Sequence, residues 1–86
     1  VKKKEEWSVD IEYKSPGGID HELDKALESL AKAAGGKDGG SGYYFPTSVR
    51  DISFYFIGHK KALKFKKTVK TKYRKASVSI VEQSED

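Results

Sequence analysis

Asp51-Ile52-Ser53-Phe54-Tyr55-Phe56-Ile57 alternates with a period of two, placing Ile52, Phe54 and Phe56 on one face and Ser53, Tyr55 and Ile57 on the other. Alternation of β-branched and aromatic residues predicts a strand that packs on one side. Gly58 breaks it, and His59 opens HKKALKFKKTVKTKYRK, residues 59–75. At 100° per residue, Ala62, Phe65, Val69, Tyr73 and Ala76 fall in one narrow sector, so this segment is expected to be a helix with an inward apolar stripe. Lys60, Lys64, Lys67, Arg74 and Lys75 fall on the opposite side. Leu63, Lys66, Lys70 and Lys72 lie on the flanks, where lysine stems cover apolar surface and send their charge outward.

The chain before this pair repeats the plan. Trp7, Val9, Ile11 and Tyr13 alternate with Ser8, Asp10, Glu12 and Lys14, which predicts a strand with one wet face. Ser15-Pro16-Gly17-Gly18 is a turn. Asp20 is expected to cap a helix with Glu22 and Asp24 in its first turn, where negative charge suits the dipole. Leu23, Leu27, Leu30, Ala31 and Ala34 follow at helical spacing, and Gly35-Gly36 is expected to close the helix near Ala34. Residues 35–42, GGKDGGSG, are expected to be a flexible loop. A phosphate-cradling loop would need a strand before it and a helix after it; here a helix precedes, and Tyr43, Tyr44, Phe45 and Pro46 follow. Tyr43–Phe45 is expected to be a short edge strand, because Pro46 removes a ladder donor. Ala76–Ile80 alternates again as a last strand. Residues 1–6 and 83–86 are expected to fray.

One small domain over residues 1–86 follows from the length. The element order predicts an α+β, ferredoxin-like β-α-β-β-α-β plan, with an antiparallel sheet in the order 4-1-3-2 and both helices on one face. The expected core is Trp7, Val9, Ile11, Leu23, Leu27, Leu30, Ile52, Phe54, Phe56, Phe65, Val69, Val78 and Ile80. There is no cysteine, hence no disulfide or thiolate site. No apolar run approaches the ~20 residues that span a bilayer, and VKKKEEW has no signal-peptide pattern. These features fit an intracellular protein, cytoplasmic or nucleoid/nuclear, monomeric or weakly dimeric, with no membrane partner.

Charge is the feature that bears on function. The net charge is +4, yet residues 1–51 carry −2 and residues 52–86 carry +6. Nine Lys/Arg side chains with no acid among residues 60–75 forgo the i,i+4 pairs that a helix of mixed charge gains. That asymmetry points to an anionic partner. The expectation is a non-catalytic domain binding nucleic-acid backbone, RNA or DNA, through Lys60, Lys64, Lys67, Lys70, Arg74 and Lys75. The alternative is an interaction or inhibitor module docking on an acidic protein surface.

The strand order resembles that of RNA-recognition modules, which stack bases on sheet aromatics. The glycine-aromatic signature of those modules is absent from residues 51–57. The open face is expected to hold Asp10, Glu12, Ser53, Tyr55, Ser77 and Ser79, a set poor in aromatics and unfavourable to phosphate. With one Arg in the basic segment and no Asn in the chain, bidentate base reading is poorly supplied, so little sequence specificity is expected. Acylphosphatases, which the plan also resembles, need an asparagine that this chain lacks. His21 and His59 are each expected at a helix start as polar surface residues, and no i,i+4 pair of ligands forms with His21. Asp10 and Glu12, ~7 Å apart along a strand, are explained by alternation alone. No metal, cofactor or catalytic residue is expected.

Overall fold

The computed structural model describes residues 6–83. The elements are β1 (Glu6–Lys14), α1 (His21–Ala33), β2 (Lys37–Tyr44), β3 (Val49–Ile57), α2 (His59–Lys72) and β4 (Ser77–Gln83). The architecture is α+β, a four-stranded antiparallel sheet with two helices in the order β-α-β-β-α-β. The strands lie in the order β2-β3-β1-β4, so the two strands with the cleanest alternation are central. Val9 pairs with both Phe54 and Ile80, and Ile11 with both Ile52 and Val78. This register lines the apolar residues of three strands on one face, because paired residues share a face.

The core sits between that face and the helices. Phe54, Phe56 and Phe65 are its largest fully buried side chains, joined by Ile11, Leu27, Val9 and Val69. Phe65 of α2 meets Phe54 edge-on at 5.6 Å and Phe56 at 5.0 Å. Edge-on and tilted contacts suit the ring quadrupole and exceed burial alone in strength. Trp7, Leu23, Leu30, Val78 and Ile80 are half-buried around this cluster. Tyr13, Ala31, Ala62 and Ala76 are buried in it as well.

Both ends of α1 follow from its sequence. Asp20 accepts a hydrogen bond from the Leu23 amide at 3.0 Å, the N-cap bond that satisfies an otherwise orphaned donor. At the other end Gly36 N–H donates to Ala31 O at 2.7 Å and Gly35 N–H to Lys32 O at 3.0 Å. Those two bonds form a Schellman motif, and Gly35 takes the left-handed conformation it needs, with φ +89°.

Four expectations are corrected. Residues 37–42, expected as a flexible loop, form most of β2. The strand is held by its ladder with β3 and carries a bulge between Asp38 and Gly40, where Gly40 has φ +112°. Glycines hide a strand from periodicity because they have no side chains to alternate. Phe45 and Pro46, expected in or beside this strand, belong to the turn that follows it, and Phe45 is 80% exposed. Ser8, expected to face water, is buried because its register neighbours on the open face are Tyr55 and Val81. Finally, α2 ends at Lys72, so Tyr73–Ala76 form a turn rather than a further helical turn, and the last strand begins at Ser77. The expectations about residues 1–5 and 84–86 lie outside the described residues, whereas Glu6 and Gln83 are strand residues.

Candidate nucleic-acid interface

Helix α2 presents its inner side to the sheet through Ala62, Phe65 and Val69. The helical phase then sends Lys60, Lys64 and Lys67 straight outward, and all three are exposed. Among the described residues the one ion pair is Arg50–Asp24, at 2.8 Å. No lysine of α2 meets a carboxylate there. The first turn of α2 holds no acid, and Gly58 gives no side-chain cap. Lys60 and Lys61 therefore sit unbalanced at the positive end of the helix dipole.

Four of the six residues expected to carry binding are on this helix, and two are not. Lys60, Lys64 and Lys67 lie on its outer line. Lys70 is on the flank, where its ammonium donates to the Ala76 carbonyl at 3.2 Å. That bond fastens the end of α2 to the turn and suits the negative end of the helix. Arg74 and Lys75 follow the C-cap residue Tyr73, in the turn before β4. They do not extend the lysine line.

On the outer surface of α2, Leu63 is 44% exposed and lies among Lys60, Lys64, Lys66, Lys67 and Lys70. Leu63 and Lys66 are expected on the helix flanks; the signal for Leu63 is a hydrophobic residue about 120° from the centre of the apolar stripe.

The opposite side of the molecule leans to the other sign, although register also puts Lys14 beside Val49 and Lys37 beside Tyr55 there. On the open sheet face Glu12 lies directly across from Asp51, and Asp10 across from Ser53 and Ser79. Asp10 accepts from the hydroxyls of Ser8 and Ser53, both at 2.7 Å. Register adds Tyr44, beside Val49, to the aromatic Tyr55 on this face. Among the described residues no group of three or more His, Asp or Glu is placed to hold a metal ion, and no helix is long and apolar enough to cross a membrane.

A buried polar cluster ties the helix layer to the sheet. Tyr13 donates to Asp24 at 2.6 Å, and the Arg50 guanidinium bonds the other carboxylate oxygen and the Gly42 carbonyl. Burial pushes the Tyr13 phenol well above its usual range, and the adjacent Asp24 carboxylate pushes it further. Asp24, expected only to balance the helix dipole, is thus a buried acceptor with a matched cation.

Compared with protein-family models and with curated proteins, the chain matches neither.

Proposed function

We propose that this protein is a non-catalytic binding domain that takes nucleic-acid backbone on the outer face of α2, with Lys60, Lys64 and Lys67 as the main contacts and Lys70 beside them. The supporting observation is the exposed lysine line with no internal carboxylate partner among the described residues. Like charges four apart weaken a helix by a few tenths of a kcal/mol each. A polyanion relieves that repulsion and releases condensed counterions as it binds. The outer face of α2 offers no aromatic ring for base stacking and no Arg or Asn for bidentate base reading, so affinity is sequence-independent. In this reading the fold is ferredoxin-like, with the sheet order β2-β3-β1-β4 and its open face leaving α2 free for the ligand. The domain acts as a monomer or weak dimer.

A second reading rests on Leu63. An exposed leucine among lysines suits an acidic protein surface with an apolar anchor better than it suits phosphate alone. Titration of a mixed-sequence DNA duplex across a salt series separates the two. Three phosphate contacts predict a slope of log K on log salt of about −2.7, at −0.9 per contact. Absence of binding at ~50 mM salt, or affinity that ignores salt, overturns the nucleic-acid reading and favours the acidic protein.

A further inference from the structure

A second cationic site lies at the far end of α2. Tyr13, Leu23, Tyr73 and Ala76 line a cleft of about 580 Å³ whose remaining walls are Lys14, Lys72, Arg74 and Lys75. It lies between the end of β1, the start of α1 and the turn from α2 to β4. Lys14 comes from the end of β1, and Lys72, Arg74 and Lys75 from the end of α2 and the turn after it. Glu12 pairs with Ser77, which carries Lys14 past the ladder toward the turn that holds Arg74 and Lys75. All four are exposed, and none has a carboxylate partner among the described residues.

The cleft floor is apolar in character even where it carries hydroxyls. The Tyr13 hydroxyl is committed to Asp24, so Tyr13 offers the cleft ring carbon. The Tyr73 ring is half-buried against the core and also lines the cleft. Asp24 lies behind this floor, but Arg50 balances its charge at 2.8 Å. The site therefore joins four cations to the partly buried Tyr73 and the apolar residues beside it. Its volume falls in the ~300–1,000 Å³ range of small-molecule sites and exceeds what a phosphate ion alone fills.

We propose that this cleft binds a nucleoside monophosphate group, its phosphate on Arg74, Lys75, Lys14 and Lys72 and its base against Tyr73. Arg74 supplies the planar, bidentate donor that suits phosphate, and the lysines supply charge. Tyr73 supplies the stacking surface, which is tolerant of base identity. The group can arrive as a free nucleotide or as the phosphorylated end of a strand. The cleft shares no residue with the Lys60, Lys64 and Lys67 line, but Lys72 borders Lys64 and Lys67, so the Arg74/Lys75 and Lys64/Lys67 variants are what separate the two sites.

The test is amide-resolved NMR titration of the full chain with adenosine monophosphate, inorganic phosphate, and a tetranucleotide with and without a 5′-phosphate. Adenosine monophosphate is expected to shift the amides of Lys14, Tyr73, Arg74 and Lys75 saturably, and to bind about tenfold more tightly than phosphate. Arg74→Ala with Lys75→Ala should weaken it by about tenfold or more with unchanged thermal stability, both side chains being exposed. Tyr73→Leu should bring adenosine monophosphate down to the affinity of phosphate; if that variant unfolds, the Arg74/Lys75 variant still decides. Lys64→Glu with Lys67→Glu should leave the nucleotide unaffected. A 5′-phosphorylated tetranucleotide that binds more tightly than the nucleotide names a strand end as the source; one that binds no more tightly names the free nucleotide. Equal affinity for nucleotide and phosphate, shifts centred on Lys60–Lys67, or indifference to Arg74→Ala/Lys75→Ala overturns the proposal.

Discussion

Gly36 lies under the ring of Phe56: a Cβ built there would stand 2.6 Å from Cζ and 2.7 Å from Cε2. Phe56 is 1% exposed and wedged against Phe65, so its ring has no room to withdraw. Gly36→Ala is expected to cost about 1–3 kcal/mol, the usual range for overpacking a core, read as a lower urea midpoint. Gly17→Ala is the control, since nothing lies within 4 Å of its Cβ position; it should stay within about 0.5 kcal/mol. Tyr13 gives a second prediction. Its phenol is held protonated in the folded chain by burial and by Asp24, while the unfolded phenol titrates near pH ~10. Its contribution is whole below that pH and is lost as pH rises above it, at up to about 1.4 kcal/mol per pH unit. Tyr13→Phe should therefore flatten the alkaline fall in stability, while costing about 1 kcal/mol at neutral pH for the lost hydrogen bond. Urea unfolding of both proteins between pH 7 and 11 reads the difference; parallel curves would sink the account.

Helix α2 tests its own phase. Lys64 and Lys67 are exposed on its outer line, so Lys64→Glu with Lys67→Glu should abolish most polyanion binding and leave the thermal midpoint unchanged or slightly raised, through new pairs with neighbouring lysines. Loss of the fold would show that these positions carry packing. The inner half of this helix was legible because Ala62, Phe65 and Val69 repeat at helical spacing. Its end was not. Tyr73 continues the stripe, and no Gly or Asn marks a C-cap there, so the periodicity ran on past Lys72 into a turn where Ala76 is buried for a different reason. The same limit hid β2. A strand reading KDGGSGYY has few side chains to alternate. Gly39 is crowded by the Tyr55 ring and the Ser53 carbonyl and Gly42 by Asp51, requirements set by the partner strand, while Gly40 takes a positive φ. Asp24 and Arg50 were equally invisible, 26 residues apart in sequence and joined only once α1 lies on the sheet. Alternation makes Lys14 a wet strand residue; its place at the cleft follows only from the pairing of β1 with β4.

Charge that leans to opposite signs on opposite sides makes the domain a dipole, and its geometry says when the far side matters. The Cα trace is 17 Å across its shortest axis. The Debye length is ~8 Å at ~0.15 M salt and ~30 Å at ~0.01 M. A ligand on α2 is therefore shielded from Glu12 and Asp51 at physiological ionic strength and feels them in dilute buffer. Neutralising both, as Glu12→Gln with Asp51→Asn, should leave duplex affinity unchanged at ~0.15 M. At ~0.01 M it should raise the association rate severalfold, because long-range fields act mainly on encounter. The same change removes a like-charge pair directly opposed across β1 and β3, so stability should rise by a few tenths of a kcal/mol. Stopped-flow association at the two salt concentrations, with thermal unfolding alongside, checks both parts. A rise in affinity that persists at ~0.15 M would place the ligand on the sheet face, next to Glu12 and Asp51, and would remove α2 as the binding surface.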